Sequence, residues 1–340
     1  MKLRKIALIT LCSVTCYLSC NKDDDGGLVT VEIRDRAEQQ VKDKDSLLEY
    51  LATHYYNSSE FEAIANPTIG DLKITELAEG TDVPDGSTLL NASTKLETLE
   101  VDFADVKYEY YILKLKAGGG TESPTFADNV VVKYEGFTLD DKVFDSAVNP
   151  VGFDLIALVP GWRKVLPQFN VAESFVENGD GTVSFIDQGI GVMFLPSGLG
   201  YFSQAQAGIP AYAPIAFKFG LLQMSQNDHD NDGIPSYLED LDGDGEVFDE
   251  NTDGDFSRTG SFIYNYIDPD DDGDGILTKD EITITTENRD TIEAVKAIPL
   301  ESNQKLSNYI VEEENGTFTG TIITFTDSDG DGEADYLDAE

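Results

Sequence analysis

Four stretches of the chain share one spacing, with an acidic residue at the first, third and fifth positions and glycine at the sixth. They are Asp228, Asp230 and Asp232 before Gly233; Asp240, Asp242 and Asp244 before Gly245; Asp270, Asp272 and Asp274 before Gly275; and Asp327, Asp329 and Asp331 before Gly332. Three of them also carry an acid at the twelfth position: Glu239, Glu281 and Asp338. Glycine permits the sharp turn that such a loop needs. Alternate carboxylates then point inward, and the seventh residue, as at Ile276, offers its carbonyl. The twelfth residue binds with both oxygens, a donor set that suits a hard cation. Packed this densely, the carboxylates repel one another unless a cation lies between them.

These loops resemble EF-hand loops and thrombospondin type 3 repeats, and the resemblance implies structural calcium. Long flanking helices are not evident, so repeat-like loops are expected rather than paired EF-hands. The bland alternative is a disordered acidic tail that only keeps the chain in solution. Ile234, Tyr237 and Leu238, interleaved among the acids, speak against it. The two histidines, His54 and His229, lack the partners of a zinc site.

Charge narrows the partners. The net charge is -42, from 65 acidic and 23 basic residues among 340. About half of the acid follows Ser225, where only five residues are basic. Such a surface repels nucleic acid and anionic lipid. A chain of this length is expected to form two or three domains. Its three cysteines, Cys12, Cys16 and Cys20, lie in the first twenty residues, so the mature chain has no disulfide framework.

Lys2, Arg4 and Lys5 precede an apolar run from Ile6 to Leu18, which suits a signal peptide and is too short to span a bilayer. Leu18-Ser19-Cys20 resembles a bacterial lipobox, with Tyr17 where leucine is usual, and this implies lipidation of Cys20. An ordinary cleaved signal, or an anchor at Cys16, is the alternative. Asn21-Lys22-Asp23-Asp24-Asp25 resembles the export signal of Bacteroidetes surface lipoproteins. The expectation is an outer-membrane lipoprotein at the cell surface, held to the membrane through its lipid anchor alone. An anchor facing the periplasm is the alternative.

Asp45 is expected to cap a helix that carries Leu47, Leu48, Leu51 and Tyr55 on one face, and Ile33, Ala37 and Val41 fit the same period. Beyond Pro67, turn signals at Gly80, Pro84-Asp85-Gly86 and Asn91 break the pattern. A helical and irregular packing or spacer region is expected, without chemistry of its own. From Lys107 the pattern becomes that of strands, over 108–115, 130–134, 142–144, 191–195 and 215–222. A short helix begins near Gly161-Trp162 and is limited by Pro167. Strands around one short helix give an α+β domain with an antiparallel sheet.

Five motifs in this stretch carry a family resemblance. They are Val132-Lys133-Tyr134-Glu135-Gly136 with Phe144-Asp145-Ser146; Leu158-Val159-Pro160-Gly161-Trp162; Phe194-Leu195-Pro196 with Tyr201; Ile209-Pro210; and Ile215-Ala216-Phe217 with Leu221-Leu222. In this order they resemble FKBP-type peptidyl-prolyl cis-trans isomerases. The resemblance implies an FKBP-like half-barrel of antiparallel strands around one short helix, with an apolar pocket that takes a proline ring. It carries over Tyr134, Phe144, Asp145, Leu158, Val159, Trp162, Tyr201, Ile209 and Phe217 as pocket residues, with Trp162 as the floor. Tyr201 would hold the substrate carbonyl, and Asp145 would orient polar groups at the rim. No cofactor is implied for catalysis.

Some positions depart from the family. Val151 or Phe153 stands near its aromatic wall, Phe202 replaces the glycine after the pocket tyrosine, and Ala211 replaces the second proline of the closing motif. The segment from Asn170 to Gly189 is longer than usual. The expected layout is a signal peptide over 1–19, a linker and partly helical region over 20–107, an FKBP-type domain over 108–224 and a loop-rich calcium-binding region over 225–340. The expected function is isomerisation of proline-containing polypeptides during folding of exported proteins. The alternatives are a proline-segment binding module with little catalysis, and a calcium-stiffened structural surface lipoprotein.

Overall fold

The structure, a computed structural model, describes residues 33–339. The signal peptide expected over 1–19 and the lipidation expected at Cys20 lie outside the described residues. Helix α1 spans Arg36–Thr53 and is capped by Asp35, whose carboxylate accepts from the Glu38 amide. Asp45 therefore lies inside a helix and does not start one. The face that packs is half polar, with Gln39, Gln40, Asp43, Leu47, Tyr50 and Leu51 buried. Val41 and Leu48 face solvent, and Tyr55 belongs to the strand His54–Tyr56 that follows. Apolar periodicity misplaced this helix because its most buried polar residue, Asp43, has its own partners. It accepts from the amide and hydroxyl of Ser197 at 2.8 and 2.6 Å.

The fold is α+β and its sheets are antiparallel. The main sheet has six strands: β1 (Leu96–Phe103), β2 (Val106–Lys116), β3 (Asn129–Thr138), β4 (Val143–Asp154), β5 (Gly189–Leu195) and β6 (Ile215–Ser225). Their order is β1-β2-β5-β6-β3-β4, with every neighbouring pair antiparallel. Strand β1 lies before Lys107, so the boundary expected there falls inside a hairpin of one sheet. From Asp35 onward the chain forms one compact unit.

The central strands are covered on both faces. Every residue of β5 is buried. Along β6, Ile215, Phe217, Phe219 and Leu221 enter one core with Trp162, while Ala216 enters a second with Leu47, Tyr50 and Leu51 of α1. Strands covered twice read as continuous apolar runs, as these do. The region before β1 is thus the second cover of the sheet.

Helix α2 spans Pro160–Val165, with proline in its first turn, and a 3-10 turn over Leu166–Gln168 ends it at Pro167. Its contact with β5 is close. A Cβ on Gly161 would lie 2.2 Å from a Leu195 methyl. The long segment after Asn170 forms a hairpin, Ser174–Glu177 against Val183–Ile186, whose Phe175 and Val176 are exposed.

The acidic region also contains regular structure. Strands β7 (Ile282–Arg289), β8 (Gln304–Glu312) and β9 (Phe318–Phe325) form a sheet in the order β7-β9-β8, with helix α3 (Ile292–Lys296) against it. The region reads as loop-rich from the sequence, and these strands were not read there. These strands are rich in Thr, Asn and Glu and bury few side chains, which hid them. Ile234, Ile282, Ile323 and Tyr336 form a small core that joins the first acidic loop, the sheet and the chain's last turn.

Candidate functional site

The nine pocket residues assigned from the sequence all line one hollow of about 360 Å³, together with Phe153, Ala157, Gln206 and Ala207. Strand β3 supplies Tyr134, and β4 supplies Phe144, Asp145 and Phe153. The turn before α2 supplies Leu158 and Val159, α2 supplies Trp162, and β6 supplies Phe217. Ile209 reaches the hollow from a tight turn closed by two hydrogen bonds with Gln206, at 2.9 and 3.0 Å, with Gly208 at positive φ.

The rings pack at angles that favour their quadrupoles. Trp162 lies 5.1 Å from Phe217 and stands edge-on to Tyr134 at 5.9 Å. Phe144 meets Phe217 edge-on at 5.5 Å, and Phe153 closes the side at 5.6 Å from Tyr134. Trp162 and Phe217 are buried, so the floor is apolar and shielded from solvent. Gly136 allows the crowding, because a Cβ there would lie 2.6 Å from the Phe144 ring.

Polarity is confined to the rim. The Tyr134 hydroxyl donates to Asp145 at 2.6 Å. Burial first, and then this carboxylate, hold the Tyr134 phenol far above its usual pKa. Burial and the Asp145 charge also raise the Tyr201 phenol, which therefore stays a neutral donor. Nothing in the hollow is arranged as a nucleophile with a base. Its chemistry is that of an apolar cleft with two phenols and one carboxylate at the mouth.

The acidic loops form a second set of candidate sites. In three of them the sixth-position glycine adopts positive φ and donates to the first aspartate: Gly233 to Asp228 at 3.1 Å, Gly245 to Asp240 at 2.9 Å and Gly332 to Asp327 at 3.1 Å. In the loop from Asp270, Gly275 also has positive φ, and Ile276, exposed at the seventh position, donates its amide to Asp274 at 2.6 Å. The oxygens of Asp228, Asp230 and Asp232 gather within 4.8 Å, as do those of Asp240, Asp242 and Asp244, and of Asp270, Asp272 and Asp274. A short turn follows three of the loops, over Ser236–Leu238, Thr278–Glu281 and Asp335–Leu337, and none is followed directly by a long helix. In the last loop Asp335 is turned to Ser328, and Asp338 ends the turn.

A cation would fit these donors. Buried oxygens of Asp230, Asp232, Glu239, Asp270, Asp271, Asp272, Glu250 and Glu281 have no hydrogen-bond partner. Both oxygens of Glu239 are among them, as a bidentate twelfth ligand requires. Burial first, then Asp230 and Asp232, push the Glu239 carboxyl up to about 11. Burial and Asp232 push Asp271 up to about 9. Carboxyls this reluctant to ionise are matched to a positive charge that would hold them as anions.

Some residues of these sites were not read from the sequence. Asp271 joins Asp232 and Glu239 in a fully buried trio, although it stands at the second position of its own loop. The run Asp270-Asp271-Asp272 was the available signal. Asp253 and Asp255 form a further group with Asp268, which stands too far along the chain for local spacing to reveal it. In the second loop, Asn251 occupies the twelfth position and the buried Glu250 stands beside it. Gln206 and Ala207 of the hollow belong to an irregular turn without a periodic pattern.

Among the described residues, no helix is long and apolar enough to cross a membrane. A family model described as BamM C-terminal matches residues 229–308. Against curated proteins, no sequence match emerges. Among solved structures, a peptidyl-prolyl cis-trans isomerase from Pseudomonas syringae pv. tomato is 23% identical, over 40% of this chain and 85% of its own, with a TM-score of 0.31. FkpA from Escherichia coli is 27% identical, over 34% of this chain and 48% of its own, with a TM-score of 0.28. TM-scores of this size transfer no activity, so a functional reading rests on the hollow and on the loops themselves.

Proposed function

We propose that the protein is a peptidyl-prolyl cis-trans isomerase acting on proline-containing segments of exported polypeptides. The observation that carries this reading is the convergence of Trp162, Phe217, Phe144, Tyr134 and Ile209 on one dry hollow with a polar mouth. Rotation about the prolyl amide must break a resonance worth ~18–20 kcal/mol at the barrier. The half-turned amide has lost its C–N double-bond character and is less polar than the planar one. A dry aromatic cleft therefore favours it over a ground state that water solvates better. The proline ring would lie over Trp162, and the Tyr201 hydroxyl would hold the carbonyl before it. Tyr134, fixed by Asp145, would shape the rim.

Calcium in the acidic loops would be structural, stiffening the C-terminal third of the chain, with Asp228, Asp230, Asp232, Glu239 and Asp271 as its best-supported ligands. Lipidation at Cys20 would place the protein at the outer membrane.

A protease-coupled assay on a proline-containing tetrapeptide tests the enzyme reading. The wild type should accelerate isomerisation, and Trp162→Ala and Phe217→Ala should each lower kcat/KM at least about tenfold, equivalent to ~1.4 kcal/mol. Equal rates in all three proteins would remove the assignment. Binding of the peptide without acceleration would leave a proline-segment binding module, the reading to which Phe202 and Ala211 point.

A further inference from the structure

The wall of the hollow that carries Ala157, Leu158, Val159 and Trp162 lies between Asp154 and Lys164, and both of its ends are gripped by acidic loops. At the first end, one oxygen of Asp154 accepts from the Ile156 amide at 3.1 Å and so starts the turn Leu155–Ala157. Its other oxygen lies 3.1 Å from Nε2 of His229. His229 stands between Asp228 and Asp230 in the first loop, and its Nδ1 lies 2.7 Å from the hydroxyl of Ser236 in the same loop.

At the second end, Glu246 makes ion pairs with Arg163 at 2.6 Å and Lys164 at 3.0 Å. Lys164 also donates to the carbonyl oxygens of Asp244 and Gly245, at 3.1 and 3.0 Å. The Arg163 side chain is only 5% exposed and that of Glu246 only 11%, so neither exchanges its partner for water without cost. Between the two ends, Ile156 packs in one small core with Val247.

Glu246 is the seventh residue of the second loop. In such loops the backbone carbonyl of that residue faces the cation. Its backbone would then serve the cation position while its side chain holds α2. Within that loop the buried Glu250 accepts from the Leu241 amide at 3.3 Å through one oxygen and leaves the other without a partner. Helix α2 has six residues, too few to hold a helix by their own propensity, so its place depends on what grips it. Without a cation, Asp240, Asp242 and Asp244 repel one another and the loop that carries Glu246 loosens.

We propose that calcium in the first two acidic loops sets the position of Trp162, and with it the grip of the hollow on a prolyl segment, through Glu246 as the positioning residue. The second half of this statement rests on the proposed function, whereas the first does not. The coupling is reciprocal: calcium and a proline peptide each tighten the binding of the other by the same factor, expected to be about fivefold or more.

The test uses the mature chain, calcium and chelator. Trp162 is the only tryptophan, so its emission and its quenching by acrylamide report the hollow without any substrate. Calcium should shift the emission and slow quenching in the wild type. In Glu246→Gln, calorimetry should still detect calcium in the first loop, but the Trp162 response should fall about fivefold. Lys164→Met, which spares the buried Arg163 pair, should show the same loss to a smaller degree and guards against a folding defect in the first variant. A wild-type Trp162 signal indifferent to bound calcium, a full response in both variants, or no calcium binding at all would each overturn the proposal. A protein that fails the isomerase assay yet shows the Trp162 response and its loss in Glu246→Gln would keep the coupling and lose only the enzyme reading.

Discussion

Asp43 carries more of the architecture than its place in a helix suggests. It is buried and accepts from Gln39 at 2.6 Å as well as from Ser197. Ser197 opens the turn that leads to Tyr201 at the mouth of the hollow. Asp43→Ala leaves several buried donors unpaired and should cost about 2–4 kcal/mol in chemical denaturation. The Tyr134 phenol, raised by burial and by Asp145, keeps its proton throughout the working range. For a phenol, a raised pKa means the neutral donor persists as pH rises. Turnover should therefore stay flat from about pH 6 to 9, and a fall centred near the ordinary tyrosine value of about 10 would contradict a phenol held by Asp145 at the mouth of the hollow. That these nine residues converge on one hollow was legible in the sequence because the motifs have fixed order and all but Asp145 carry a ring or branch of the right size. Asp43 was not legible, because a buried acid on a helix face breaks the apolar period, and its partner lies far along the chain. Phe202 has a local explanation. It sits at φ 48, a region that glycine enters freely, and its ring stacks edge-on with Tyr212 at 5.1 Å beneath the Arg36 guanidinium.

At the scale of elements, the contacts of the hollow depend on glycines that let them close. Gly136 on β3 faces both the Phe144 and Phe217 rings. Gly136→Ala would force them apart. It should cost about 1–3 kcal/mol by overpacking and depress peptide turnover, read from the denaturation midpoint and the coupled assay. The strands of the main sheet were legible from their apolar runs, although β4 is much longer than the three residues that the sequence suggested. It extends because β3 pairs with it almost to Asp154, across bulges that no local pattern announces. The strands β7, β8 and β9 stayed hidden for another reason. Their stability comes from backbone pairing and a few contacts such as Ile322 with Val295, not from alternation. The clustering of carboxylates within each acidic loop was legible, since their spacing is itself the sequence pattern. What the pattern missed was the crossing of Asp271 into the site of another loop.

For the whole molecule, the acidic loops set how stability responds to pH. Glu239, Asp271 and Glu281 are pushed up to about 11, 9 and 7 by burial and by their neighbours' charges. A carboxyl harder to ionise in the fold than in the open chain binds more protons when folded. Stability without a cation is therefore greatest below the open-chain values, near 4, and is lost as pH rises through the folded values. In chelator, the thermal midpoint should fall between about pH 5 and 9, whereas saturating calcium, which binds the anions, should flatten or reverse the slope. A midpoint that ignores calcium at every pH would argue against ion sites in these loops. The doubly covered main sheet has a consequence of a different kind. Cutting the chain at Lys107 would strip one side of a slab on which Tyr111, Leu113, Ile190, Val192 and Phe194 lie flat and greasy. An isomerase fragment trimmed to the borders of its motifs would then behave as a client for chaperones, and workable dissection begins at Asp35.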